Sequence, residues 1–132
     1  MNNALTIART LYAALEAGHQ GPQLRPLFHD DAYTLEHPNL IKPRGARVDS
    51  ASMLRASESG AALLASQRYD VLSALEIDDT AILRLTWTGV IARELGPFRE
   101  GQILTARIAQ FITAREGRIA SIETYDCYEP FA

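Results

Sequence analysis

Residues 102–128 read QILTARIAQFITAREGRIASIETYDCY, and the fold follows from how this stretch pairs with itself. Apolar and polar side chains alternate through about 102–115 and again through about 118–128, the period of two expected of β-strands. Between them, Arg115-Glu116-Gly117-Arg118 puts Gly second in a two-residue connection, the signature of a tight antiparallel hairpin. With Glu116 and Gly117 as the turn, Arg115 faces Arg118. Counting outward, Phe111 faces Ile122, Ala109 faces Thr124 and Arg107 faces Asp126, all on one side of the ribbon. A guanidinium across from a carboxylate can form a bidentate pair that keeps the acid ionised and lowers its pKa. An extra residue in the turn would carry Asp126 off that register.

Upstream of the hairpin, the period of two continues. A strand over roughly 80–93 is rich in Ile, Leu, Thr and Trp, and 68–77 alternates Tyr69, Val71, Ser73, Leu75 and Ile77. Asp78-Asp79 supplies the turn between them, and the loop 94–101 with Gly96-Pro97 ends the pairing. The first half has helical spacing instead. Leu5, Ala8, Leu11, Tyr12 and Leu15 share one face of a helix over 4–17, with Asn3 as N-cap and Gly18 beyond its C-terminus. A helical turn over 22–28, a polar turn at 29–31, a strand over 32–37 closed by Pro38, and a loop over 38–48 follow. Asp49 then caps a helix running to about Gln67, with Met53, Leu54, Ala61 and Leu64 inward. Helices first and an antiparallel meander afterwards is an α+β pattern, in one domain over 1–132.

Composition agrees. A chain of 132 residues, 47% apolar and 22% charged, buries roughly two thirds of its unfolded surface and needs neither disulfide nor structural metal. A net charge of −3 and a pI near 5.6 point away from nucleic acid and anionic membranes as partners. The one cysteine, Cys127, has no internal partner and suits a reducing cytoplasm. Arg9 and Glu16 interrupt the opening residues, and no run of about eighteen apolar residues occurs, so neither a signal peptide nor a membrane span is expected. HxxxH, HExxH and CxxC spacings are absent, as are GxGxxG, P-loop and GxSxG motifs, so no metal or cofactor is expected.

Three stretches carry a family resemblance: YAALEAG closing the first helix, LRPLFHDDAYTLEHP after it, and GRIASIETYDCYEPF at the end. They resemble the SnoaL-like branch of the nuclear transport factor 2-like superfamily, with its ketosteroid isomerases and polyketide cyclases. The resemblance implies a cone-shaped barrel, with N-terminal helices packed into a curved, mostly antiparallel sheet that encloses a pocket. It also implies homodimers paired through the sheet's outer face, and a pocket lined by the face bearing Arg107 and Asp126. His37 stands before Pro38 where the isomerases carry their proton-abstracting Asp. Their oxyanion-stabilising Tyr corresponds to Leu11, next to Tyr12, and their second acid corresponds to Ala109. Epoxide hydrolases of the superfamily place an Arg between two acids; Arg107 and Asp126 match two of those positions, with Ala109 at the third.

The resulting expectation is a cofactor-free isomerase, cyclase or dehydratase acting on a small apolar molecule with a carbonyl or hydroxyl. His37 moves the proton, Asp126 positions or shares it, and Arg107 holds developing negative charge. Tyr12, Phe28, Tyr33, Leu54, Trp87, Phe98, Phe111 and Tyr128 are the candidate walls. Cys127, alternating with Asp126, is read as a small buried hydrophobe on the opposite face. Two alternatives stand beside this. The Arg107–Asp126 pair can be purely structural, in a non-catalytic ligand-binding or interaction module that the missing acid at Ala109 favours. An epoxide-hydrolase-like activity with an incomplete acid set is the other.

Overall fold

The computed structural model describes residues 3–131. Helix α1 (Ala4–Glu16) buries Ala8, Leu11 and Tyr12 of the expected face, with Leu5 and Leu15 half-buried beside them and Ala4 buried as well. Two 3-10 turns follow, Gly21–Gln23 and Arg25–Leu27. Then come β1 (Phe28–Glu36), β2 (Ala46–Asp49), α2 (Ser50–Leu63), β3 (Leu64–Ile77), β4 (Thr80–Ile91), β5 (Ile103–Arg115) and β6 (Arg118–Tyr128). The six strands form one curved, unclosed sheet in the order β2-β1-β6-β5-β4-β3. Neighbours are antiparallel except β1 and β6, which run parallel. Helix α1 lies in the concavity, and the core forms between it and the inner face of the sheet. There Leu83, Leu85, Ile112 and Ile119 are fully buried, each contributing about 1.5–3 kcal/mol. Ala4 and Ala8 let the helix backbone come close.

Three hydrogen bonds pin α1 along the edge strand β3. Glu76 accepts from the Leu5 amide at 2.7 Å, a carboxylate placed where the helix N-terminus favours negative charge. Glu16 accepts from the Tyr69 amide at 2.7 Å, and Gln67 donates to the Leu15 carbonyl at 3.3 Å. Among the described residues no helix is long and apolar enough to cross a membrane.

The structure departs from the sequence expectation in four places. β2 lies in the stretch read as loop, because four residues with exposed Arg47 and Asp49 are too short to show alternation. His29, Asp30 and Asp31 belong to β1, whose register shifts between Phe28 and Tyr33, instead of forming a turn. α2 stops at Leu63, four residues short of Gln67, and β3 begins at once. Its start matches expectation: the Asp49 carboxylate accepts from the Ser52 amide at 2.8 Å.

The fourth departure decides the site. Glu116 and Gly117 both have positive φ, 52° and 77°, and Arg115 faces Arg118, so the two-residue turn forms as expected. One pair further on, Ala114 faces Ile119 while Thr113 faces Ser121, which leaves Ala120 as a bulge. Beyond it every partner moves by one: Phe111 faces Glu123, Gln110 faces Thr124, Ile108 faces Asp126 and Arg107 faces Cys127. The bulge has a cause in the sequence. Ile119 and Ile122, three apart, cannot both point inward on a regular strand; with Ala120 squeezed out, they are 0% and 7% exposed.

Candidate active site

With the bulge in place, the inward face of β6 carries Ile122, Thr124, Asp126 and Tyr128, and that of β5 carries Ile108, Gln110 and Ile112. Of these, Gln110, Ile122, Thr124 and Tyr128, with the helices, bound a cavity of about 410 Å³, and Asp126 meets its wall through Thr124. Tyr12 and Leu15 of α1, Phe28 of β1, and Met53 and Leu54 of α2 form much of its apolar wall. Its polar wall is made by Gln110, Thr124 and Tyr128, with Glu36 and Lys42.

A directional chain of hydrogen bonds crosses that wall. The Tyr12 hydroxyl donates to Gln110 Oε1 at 2.6 Å, and Gln110 Nε2 donates to Thr124 Oγ1 at 3.1 Å. The Thr124 hydroxyl then donates to Asp126 Oδ1 at 2.5 Å. The amide of Gln110 sets the sense, accepting at one end and donating at the other. Burial raises the Asp126 pKa above the usual aspartate value, against the Thr124 hydrogen bond that lowers it; the Glu36 charge raises it further and Lys42 opposes. Burial is also the main cause that raises Tyr12, Tyr69 and Tyr128, so these phenols keep their protons and act as donors. Lys42, the only lysine in the chain, sits 3.3 Å from Glu36, which Asn39 also holds at 2.8 Å. Within the cavity wall, Tyr69 stacks on Tyr12 at 4.8 Å.

The expected triad does not assemble. Arg107 alternates with the buried Ala106 and Ile108 on β5, so it is exposed on the outer face and bonds Glu129, while the bulge in β6 turns Asp126 to the inner face. His37 lies on the outer face too, bonding Glu123 at 2.7 Å and stacking on Tyr125 at 4.1 Å. That hydrogen bond is the main cause holding the Glu123 carboxyl below its usual range. Strand parity explains His37: Thr34 and Glu36 line the cavity, so the next position points out. Ala109 faces Tyr125 on the outer face, and the cavity-side neighbour in the strand is Gln110, so a missing acid at 109 says nothing about the cavity. Cys127 is exposed, not buried.

The candidate walls divide. Tyr12, Phe28, Leu54 and Tyr128 line the cavity. Trp87 backs it, donating to Gln67 at 2.9 Å and meeting Tyr128 edge-on at 6.3 Å. Three others lie elsewhere. Phe111 packs against Tyr125 outside the sheet, Tyr33 lies under the Arg47 guanidinium, and Phe98 packs on Phe131 beyond the end of β4. Sequence reasoning missed Glu36, Lys42, Gln110 and Thr124. The three-residue spacing of Ile119 and Ile122 was the signal that would have placed Gln110 and Thr124 inward.

No family model and no curated protein sequence matches the chain. Solved structures do. IdmH of Streptomyces antibioticus, a proposed polyketide cyclase, superposes with a TM-score of 0.76 at 20% identity, over 95% of this chain and 92% of its own. A protein of ketosteroid isomerase-like fold from Catenulispora acidiphila, in complex with trimethylamine, gives 0.66 at 18% identity, over 90% and 83%. A nuclear transport factor 2-like protein from Anabaena variabilis gives 0.68 at 12% identity, over 94% and 89%. By these superpositions, and by a helix packed against a curved, unclosed sheet, the chain has the nuclear transport factor 2-like α+β cone fold.

Proposed function

We propose that the chain is a SnoaL-like small-molecule enzyme that moves a proton without a cofactor, on a largely apolar molecule bearing a carbonyl or hydroxyl. Isomerisation, aldol-type cyclisation and dehydration share that step, and the likeness to IdmH supports cyclisation within this set. The carrying observation is the one-way hydrogen-bond chain from Tyr12 through Gln110 and Thr124 to Asp126. It fixes one carboxylate oxygen of a half-buried acid. A desolvated carboxyl is a stronger base when ionised and holds its proton longer as an acid, so Asp126 takes the proton role. The Tyr128 hydroxyl and the Lys42 ammonium are placed to meet negative charge developing on a substrate oxygen. The apolar wall of Leu15, Phe28 and Leu54 excludes water.

The test is α-proton exchange of 2-tetralone in deuterium oxide, followed by proton NMR. The wild-type protein is expected to accelerate exchange over buffer. Binding, seen as a thermal shift, without acceleration would replace the enzyme with a ligand-binding module.

We further propose a homodimer paired through the convex face, where Leu72, Leu75 and Ile103 are 56%, 61% and 65% exposed. Light scattering is expected to give about twice the 14.6 kDa chain mass; a mass of one chain contradicts this.

A further inference from the structure

A second cavity, of about 460 Å³, lies beyond Leu15, between the end of α1, the second half of α2 and the start of β3. Leu15, Ser57 and Tyr69 line both cavities, so the two meet at a shared rim. That rim is held in shape. Ser57 accepts from the Gly21 amide at 2.8 Å and donates to the Leu54 carbonyl, while Tyr69 stacks on Tyr12.

The two spaces differ in chemistry. Leu11, Leu24, Phe28 and Met53 make the first apolar, whereas Glu16, His19, Gln20, Ser66 and Gln67 give the second both donors and acceptors. Helix α2 covers both. Met53 and Leu54 stand over the first cavity, Gly60 and Ala61 over the second, and no residue of α2 is buried. A helix whose inner side lies over two cavities has little to pack against, and a ligand filling them supplies that contact.

We propose that the two cavities take one elongated molecule: an apolar, carbonyl-bearing head in the first, and an uncharged, hydroxyl-rich tail reaching past Leu15 and Ser57 into the second. The head rests on the function proposed above; the tail does not depend on catalysis. Hydroxyls match a wall that both donates and accepts, and the Glu16 carboxylate disfavours an anionic tail.

The experiment compares 2-tetralone with 2-tetralone carrying a linear tetrahydroxy chain. Binding is read from the fluorescence of Trp87, the only tryptophan, which donates to Gln67 in the wall of the second cavity. The tailed compound is expected to bind the wild-type protein about tenfold more tightly. Gly60→Phe and Ala61→Phe each fill the second cavity from the α2 wall, where a side chain added at Gly60 meets open space. Each is expected to abolish the tail's advantage while leaving 2-tetralone binding within about twofold, which also shows that the variant is folded. Equal binding of the two compounds, or an advantage that survives both variants, overturns the two-cavity ligand while leaving the head site standing. Failure of both compounds to bind overturns the head site itself, and the inference with it.

Discussion

Asp126→Asn is expected to slow the exchange of bound 2-tetralone by about 10²–10⁴-fold, the usual worth of a positioned general acid or base. The substitution is close to isosteric, and its carbonyl oxygen can still accept from the Thr124 hydroxyl, so the chain from Tyr12 keeps its end point. Only the proton-carrying capacity is lost. Arg107→Ala and His37→Ala, on the outer face, are expected to leave the rate unchanged.

The same variant makes a stability prediction of definite sign. Burial raises the Asp126 pKa in the folded chain, so between the ordinary aspartate value and the raised one the folded state binds more protons than the unfolded state. Stability from this group is therefore fully present below the ordinary value and lost as pH rises through the raised one. Asparagine carries no such loss. Asp126→Asn should melt higher than wild type at neutral pH, with the gain vanishing as the pH falls below the ordinary aspartate value. A variant less stable at neutral pH would mean that a partner charge holds the carboxylate.

The second large effect concerns the middle of the chain. Tyr12→Phe leaves Gln110 Oε1 without its donor, and Gln110→Leu leaves the Tyr12 hydroxyl without its acceptor, each costing about 1–3 kcal/mol. Removing both partners leaves no orphan between them. The double variant should be less destabilised than the sum of the singles by about 1 kcal/mol or more, measured by denaturant unfolding. Strict additivity would mean that the bond contributes nothing to the fold. Both single variants should also slow exchange, since Gln110 orients Thr124 and Thr124 orients Asp126.

Much of the fold was legible because the strongest signals are local. The face of α1, the Asp49 cap and the Glu116-Gly117 turn all follow from short-range geometry, and all are found. The site was less legible because it depends on register, which is not local. A correct turn led to an incorrect pairing eight residues away, since a single bulge at Ala120 reverses which residues of β5 oppose the inward face of β6. The residues expected to bear charge drew attention to Arg107 and His37, yet parity on β5 and β1 sends both outward while the bulge in β6 turns Asp126 inward. Gln110 and Thr124 carry no catalytic signature in isolation; they become a chain only when opposite each other. Asp126 was singled out for an ion pair with Arg107 that the register does not allow; its side chain points instead into the concavity, opposite Ile108.

That difference can be measured at one atom. Carbon-13 NMR of the Asp126 carboxyl across a pH titration reports whether the group faces a desolvating interior or a guanidinium. A bulged register predicts a midpoint above the ordinary aspartate value of about 3.9 that stays in place in Arg107→Ala. A midpoint below that value, rising when Arg107 is removed, would restore the unbulged pairing and contradict the inward carboxyl.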